Sequence, residues 1–169
     1  SDPEEVRTSV PDPPAFVKTM LGMGIKLNLW TNPYVSPESP VYKSIYPYTG
    51  THTVWGGVVP DLTIEKAREI MSAQILSDQV GIGISGYKID ESDGYDRWLW
   101  PDVALFPSGN SAEQIRQVYG VILQKMTTDI FRGQNRRTYG LTRASNGGAS
   151  SFPYVIYNDY YSHPDFITA

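Results

Sequence analysis

The chain has 169 residues, with 15 glycines, 13 prolines and no cysteine, and its 14 basic and 18 acidic side chains give a formal charge of −4. The missing cysteines exclude thiol catalysis, disulfide scaffolds and zinc fingers, and the mild acidity argues against a nucleic-acid binder, which needs a basic face. With 40% apolar residues the chain can bury the core of one domain. No apolar run approaches the roughly 18 residues that span a bilayer, and the acidic N-terminal sequence is unlike that of a signal peptide.

The first predicted elements are a helix and a strand. Two prolines open residues 13–21, where Pro is tolerated in the first helical turn, and Gly22 ends this helix. Residues 25–30 then alternate apolar and polar side chains, which is typical of a strand. Residues 33–60 are rich in Pro, Gly, Ser and Tyr and predict a long loop excursion.

A second helix and a second strand follow. Thr63 is placed to cap a helix with apolar residues along one face. These residues are Ile64, Ala67, Ile70, Met71 and Ile75. After a glycine-rich turn, residues 86–90 predict a short strand.

Residues 91–110 predict another long loop, and the clearest helix signal follows it. Ser111 and Gln114 have the spacing of a capping box, and Gly133 closes the helix. Its apolar face repeats at intervals of three and four. The residues of this face are Ile115, Val118, Tyr119, Ile122, Met126 and Ile130.

The last two predicted elements are short strands at residues 138–142 and 153–157. Helices and strands therefore alternate along most of the chain. This alternation predicts an α/β fold, in which a parallel sheet carries its helices outside. In such folds the functional residues lie on the loops after the carboxyl ends of the strands.

Two carboxylates occupy such positions. Asp90, followed by Glu91, ends the strand at residues 86–90, and Asp159 follows the strand at residues 153–157. Two carboxylates on neighbouring strand ends can act as nucleophile and general acid/base, as retaining glycoside hydrolysis requires. Aspartate at a strand end also commonly caps the next turn, so position alone leaves both interpretations open.

Aromatic residues lie close to the same strand ends. Trp30 ends a strand, while Trp55, Trp98 and Trp100 lie in the long loops. Flat rings among carboxylates suit the C–H faces of sugars, although long loops also need aromatic cores of their own. Arg143 follows the strand at residues 138–142 and can reach the same rim, either to bind a ligand or to pair with a carboxylate.

Several other motifs lack the context that their chemistry needs. Residues 81–86 match G-x-G-x-x-G, but they precede a strand instead of following one. The acidic loop at residues 90–96 suggests calcium, yet its glycine is fifth and not sixth as in an EF-hand. His52 and His163 have no metal-ligand spacing. We therefore expect no metal and no organic cofactor, with a calcium ion bound by the acidic loop at residues 90–96 as the alternative.

Separated segments, in the same order along the chain, resemble glycoside hydrolase family 31. The resemblance covers roughly residues 15–169 and rests on ten short segments. They are residues 24–33, 36–40, 61–63, 86–91, 100–102, 106–109, 113–114, 119–120, 137–145 and 154–159.

This resemblance implies a (β/α)₈ TIM barrel, of which the chain covers roughly strands three to six. It also implies a retaining α-glycosidase that acts on terminal α-galactosides or α-glucosides. Asp90 matches the family nucleophile at the end of the fourth strand, and Asp159 matches the acid/base after the sixth. Arg143 matches the arginine that contacts the sugar, while Lys88 and Trp30 match positions that face the pocket.

Two departures from the family pattern leave the sugar undefined. Asn158 stands where glycine usually precedes the acid/base, and residues 162–166 replace an aromatic that is common just after it. The closest resemblance is to the branch with bacterial α-galactosidase-like members. A second hypothesis is a non-catalytic carbohydrate-binding or inactive relative that keeps the fold. The presence of both Asp90 and Asp159 disfavours it, because a decayed site usually loses one carboxylate.

Length adds a further expectation. A (β/α)₈ barrel typically takes about 250 residues, so residues 1–169 are expected to form part of the catalytic barrel domain. The rest of the barrel is then expected from flanking sequence, and the isolated segment is expected to be unstable or inactive because its strand edges are unpaired. The expected ligand is an α-linked carbohydrate, with no nucleic acid or membrane partner. The sequence indicates neither the oligomeric state nor the compartment.

Overall fold

A four-stranded parallel sheet, a two-stranded hairpin and the helices around them make up the described structure. The structure is a computed structural model, and it describes residues 10–92 and 99–157. The helices are α1 (Pro13–Gly22), α2 (Tyr42–Ile45), α3 (Glu65–Ile75) and α4 (Ala112–Gly133). The strands are β1 (Asn28–Thr31), β2 (Thr49–Val54), β3 (Gly57–Pro60), β4 (Gly86–Ile89), β5 (Gly140–Thr142) and β6 (Tyr154–Ile156).

The main sheet has the strand order β1-β4-β5-β6, and every neighbouring pair is parallel. Its register aligns Trp30 with Lys88, Lys88 with Leu141, and Leu141 with Val155. Partners in a parallel register point to the same face, so these four side chains form one row across the sheet. The predicted parallel α/β arrangement is confirmed, although the first strand begins at Asn28 and not at residue 25.

Two of the four helices named above, α1 and α4, begin with a side-chain cap, whereas α2 and α3 do not. The Asp12 side chain accepts a hydrogen bond from the Ala15 N–H (2.9 Å) and starts α1. Ser111 and Gln114 form the predicted capping box of α4. The predicted cap at Thr63 is wrong, because its hydroxyl donates to Asp61 (2.5 Å) and α3 begins without a side-chain cap.

Residues 33–60 contain a β-hairpin that the sequence does not predict. Strands β2 and β3 are antiparallel, and Trp55 and Gly56 connect them with φ of 54° and 74°. Two consecutive positive φ values are typical of type I′ hairpin turns, which usually carry Asn-Gly or Asp-Gly. Because Trp55 occupies the first turn position, the sequence lacks the usual residue pair that predicts such a hairpin. Val35 pairs with Val58, which attaches the hairpin to the loop after β1.

The core lies between the sheet and α4. The rings of Tyr87 on β4 and Phe131 on α4 pack with their centroids 6.1 Å apart. Trp100 is buried between Phe106 and Tyr119, and its indole N–H donates to the Ala112 carbonyl (3.1 Å). Trp100 therefore has the structural role that loop aromatics can have, and not the sugar-stacking role. In residues 10–92 and 99–157, no helix combines the length and apolar character needed to span a membrane.

Candidate active site

The carboxyl ends of four parallel strands bring the candidate residues together. Asp90 follows β4 directly, and its backbone N–H donates to the Thr31 carbonyl at the end of β1 (2.9 Å). Arg143 follows β5, and its N–H donates to the Ile89 carbonyl (3.0 Å). Tyr157 follows β6 and donates from its backbone to the Thr142 carbonyl (3.1 Å). The ladder therefore continues one residue past each strand and aligns these positions along one edge.

The Asp90 carboxylate is the centre of this edge, and its Oδ2 atom has two neighbours. The indole N–H of Trp30 donates to it at 2.7 Å. The Lys88 ammonium lies 3.3 Å away. Trp30 and Lys88 are register partners on adjacent strands, so both side chains reach this oxygen from the same face of the sheet.

The other oxygen, Oδ1, is bound by the backbone and by a second cation. The Glu91 N–H donates to it at 2.9 Å, and an Arg143 guanidinium nitrogen lies at 3.4 Å. The side chains of Asp90 and Arg143 are only 6% and 9% exposed. A buried carboxylate needs such partners, because desolvation penalises its charge.

These contacts decide the ionisation state of Asp90. Burial by itself raises the pKa of a carboxyl group, but here hydrogen bonds from Tyr157, Trp30 and the Glu91 backbone outweigh it. The charge of Lys88 acts in the same direction, and together these contacts lower the pKa of Asp90 to about 2. The carboxylate is therefore ionised at neutral pH, as a nucleophile must be.

The residue after Asp90 has an unusual backbone conformation. Glu91 has φ of 60°, in the left-handed region that non-glycine residues rarely adopt. The Tyr34 hydroxyl donates to its carbonyl oxygen at 2.5 Å, from the loop after β1. Strained backbone of this kind is concentrated at functional sites, where surrounding contacts hold it in place.

Comparison with known protein families shows to which family this chain belongs. The profile of the glycosyl hydrolases family 31 TIM-barrel domain matches residues 5–166. The chain belongs to glycosyl hydrolase family 31. Its parallel strands and outer helices are therefore part of a TIM barrel, which confirms the resemblance and the fold class that it implies.

Solved structures of family 31 enzymes share this fold. A sulfoquinovosidase from E. rectale, in complex with an aza-sugar inhibitor, superposes with a TM-score of 0.71 at 24% identity, over 86% of this chain and 23% of that one. A cycloalternan-degrading enzyme from Trueperella pyogenes, in complex with a covalent intermediate, gives 0.65 at 18% identity, over 86% and 22%. At these identities the likeness shows the fold alone. The chain spans about a quarter of the length of these proteins.

Of the residues expected in a family 31 site, four meet in the described structure. Trp30, Lys88 and Arg143 all contact the Asp90 carboxylate. The expected acid/base, Asp159, lies outside the described residues, as do Trp98 and His163. The acid/base role of Asp159 and a sugar-facing role of Trp98 stay predictions.

Two tyrosines belong to this site although the sequence did not single them out. Tyr157 helps to lower the pKa of Asp90, and its ring lies under the Lys88 ammonium, 4.6 Å from nitrogen to centroid. Tyr34 holds the Glu91 carbonyl. The sequence placed Tyr157 at the end of the predicted strand at residues 153–157 and within the family segment at residues 154–159, whereas Tyr34 carried only its position in the loop after the first strand.

The exposed surface near Asp90 belongs to its neighbours in the sheet, since the Asp90 side chain itself is 6% exposed. Trp30 is 53% exposed and Val155 is 48% exposed on the face that they share with Lys88. The nearby cavity of about 280 Å³ lies on the other side, between the sheet and helices α3 and α4. Within the described part of the chain, no three His, Asp or Glu side chains come together as a metal site would require.

Proposed function

We propose that this family 31 chain carries the catalytic nucleophile of a retaining α-glycosidase, with Asp90 in that role. The observation that supports it most is the ionised carboxylate at the carboxyl end of β4, with both oxygens held and the pKa lowered to about 2. An aspartate that merely capped a turn would need one or two backbone donors. Contacts with two cations, an indole and a phenol favour a site that handles charge.

In the proposed first step, an Asp90 oxygen attacks the anomeric carbon of the sugar. A bond forms between this oxygen and that carbon, and the glycosidic C–O bond breaks. The Asp159 carboxyl group gives its proton to the departing oxygen. The product is a glycosyl ester on Asp90 with inverted configuration at the anomeric carbon.

In the second step, Asp159 removes a proton from water, and the water oxygen attacks the anomeric carbon. The ester bond to Asp90 breaks, so the carboxylate is regenerated and the α configuration is restored. Retention requires the two carboxyl groups to lie about 5–5.5 Å apart. We expect this separation for Asp90 and Asp159.

Three side chains are proposed to bind the sugar while they position Asp90. Arg143 and Lys88 can donate to sugar hydroxyls, and their charges also stabilise the carboxylate as a leaving group in the second step. The half-exposed Trp30 ring offers an apolar surface to a sugar face. Their contacts with Asp90, at 3.4, 3.3 and 2.7 Å, mean that bound sugar would touch the same groups that hold the nucleophile.

The proposed substrates are terminal α-linked hexosides, with α-galactosides and α-glucosides first. Because a sulfoquinovosidase shares the fold, an aryl α-sulfoquinovoside belongs in the same test. We also propose that residues 1–169 act as part of a larger catalytic barrel. The described residues supply four parallel strands, whereas the fold closes with eight.

The test uses the intact protein with aryl α-galactoside, α-glucoside and α-sulfoquinovoside substrates. Asp90→Asn should abolish hydrolysis of whichever substrate the unmodified protein cleaves, because an amide cannot act as the nucleophile. Asp129→Asn is the matched control, since Asp129 lies in an exposed ion pair on α4 and should leave the rate unchanged.

Three possible results test whether Asp90 is the nucleophile and whether the protein is catalytic. Trapping of a 2-deoxy-2-fluoro sugar on Asp90, detected by mass spectrometry, would support the covalent step directly. Equal rates for Asp90→Asn and the unmodified protein would show that the assignment is wrong. Sugar binding without hydrolysis of any substrate would favour the non-catalytic alternative.

A further inference from the structure

We propose that Tyr34 is a positioning residue for Asp90. Tyr34 acts through the backbone of Glu91, and the β2–β3 hairpin holds Tyr34 itself in place. This inference rests on the proposed function of Asp90. It adds to the site a residue that acts through the backbone next to Asp90 and not through contact with the sugar.

The first contact that supports this proposal is the hydrogen bond between Tyr34 and Glu91. The Tyr34 hydroxyl donates to the Glu91 carbonyl at 2.5 Å, although the two residues are 57 positions apart. The Tyr34 backbone N–H is in turn bound by the Asn32 side chain at 3.1 Å. The hydroxyl therefore reaches Glu91 from a loop with an organised backbone of its own.

The second contact is the hydrogen bond from the Glu91 N–H to Asp90, and it depends on a backbone conformation at Glu91 that needs support. Glu91 has φ of 60°, a conformation that costs a non-glycine residue free energy and persists only when neighbours hold it. In this conformation the Glu91 N–H points at Asp90 Oδ1 (2.9 Å). The carbonyl that Tyr34 binds and the N–H that donates to Asp90 lie in the two peptide planes joined at the Glu91 Cα. The two hydrogen bonds together hold the left-handed conformation between these planes, so loss of the Tyr34 hydrogen bond lets both planes relax.

The third contact links the hairpin to Tyr34. Val35 and Val58 exchange two backbone hydrogen bonds, of 3.0 and 2.9 Å. Gly57, at the start of β3, packs directly on Tyr34. A Cβ atom at position 57 would lie 3.0 Å from the Tyr34 Cβ and 3.1 Å from its backbone carbon. The close approach leaves no room for any side chain larger than hydrogen without moving Tyr34.

The charged and titratable groups around Asp90 influence its pKa and therefore the acid limb of the pH profile. They are Lys88 on β4, Glu91 directly after it, Arg143 after β5 and Tyr157 after β6. Among the donors, the Glu91 N–H lowers the pKa of Asp90. Loss of its alignment therefore raises that pKa and moves the acid limb of kcat/KM to higher pH.

The experiment compares Tyr34→Phe with Tyr46→Phe in the intact protein, on the best substrate found above. Tyr46 is 57% exposed, and its ring packs against Tyr42 at a tilt of 43°. We expect Tyr34→Phe to lower kcat about tenfold, the usual size for a lost supporting hydrogen bond. KM should change little, and the acid limb should move to higher pH. Tyr46→Phe should change none of these quantities.

A second variant tests the hairpin and guards against misfolding. Gly57→Ala keeps the Tyr34 hydroxyl but displaces its backbone, and should shift the acid limb in the same direction. Circular dichroism and thermal melts identify variants that fail to fold. A folded Tyr34→Phe protein with unchanged kcat and an unmoved acid limb would overturn the proposal.

The same data separate this inference from the proposed function. If Asp90→Asn abolishes activity and Tyr34→Phe leaves kcat and the acid limb unchanged, the positioning role fails and the nucleophile stands. If Asp90→Asn retains full activity, both fail together.

Discussion

The Trp30 indole N–H donates to Asp90 Oδ2 at 2.7 Å, across 60 positions of the chain. The contact exists because β1 and β4 are parallel neighbours, with Trp30 opposite Lys88 in the register. The edge of the ring holds the carboxylate, while the ring is half exposed and is proposed above to offer its face to the sugar. The same arrangement connects the acid–base properties of Asp90 to the packing of a neighbouring strand.

The first prediction concerns this hydrogen bond. Trp30→Phe removes the donor and leaves a ring, so the pKa of Asp90 should rise from about 2 towards its ordinary value. A hydrogen bond to a charged group contributes about 1.5–3 kcal/mol, so the acid limb of kcat/KM should move up by about one to two pH units. The measurement is the pH dependence of kcat/KM below pH 6.

Trp55→Phe is the control for the first prediction. Trp55 lies in the hairpin turn and is 61% exposed, so its replacement should leave the acid limb where it is. An acid limb that does not move in Trp30→Phe would mean that the indole does not stabilise the charge on Asp90.

The second prediction concerns stability against pH. The pKa of Asp90 is lowered in the folded protein, so its charge stabilises the fold above the unfolded pKa, near 4, and that contribution is lost as pH falls towards about 2. The shift corresponds to about 2 kcal/mol. Denaturant unfolding of the intact protein and of Asp90→Asn, from pH 6 to pH 2, should show this extra loss only with aspartate present. Parallel curves for the two proteins would contradict the prediction.

The third prediction compares two glycines of α4. A Cβ atom at Gly120 would lie 2.3 Å from the Ala144 carbonyl oxygen, next to Arg143, whereas a Cβ at Gly133 would meet no atom within 4 Å. Gly120→Ala should therefore destabilise the protein by about 1–3 kcal/mol through overpacking and also lower activity, because the loop carrying Arg143 must move. Gly133→Ala should be neutral or stabilising by up to about 1 kcal/mol. Chemical denaturation and initial rates give both quantities, and equal stability of the two variants would refute the close-packing argument.

The described fold shows which sequence patterns were sufficient. The capping box at Ser111 and the i, i+3, i+4 repeat after it predicted α4, because both depend on residues within one or two helical turns. The cap at Thr63 failed because a buried carboxylate, Asp61, binds its hydroxyl instead. The hairpin escaped prediction because its turn carries tryptophan in a position that usually carries Asn, Asp or Gly.

Sequence alone determined the parallel α/β class and the position of Asp90 at a strand end, since both follow from local patterns, and the resemblance of its motifs to a known family indicated the family. Only the tertiary structure decided which groups surround the carboxylate and hence its charge. Trp30, Arg143 and Tyr157 come from three other strands, and Tyr34 reaches the site through the loop after β1. The physical reason is that hydrogen bonds and desolvation depend on strand order and side-chain direction, which bring together residues that lie far apart in the chain.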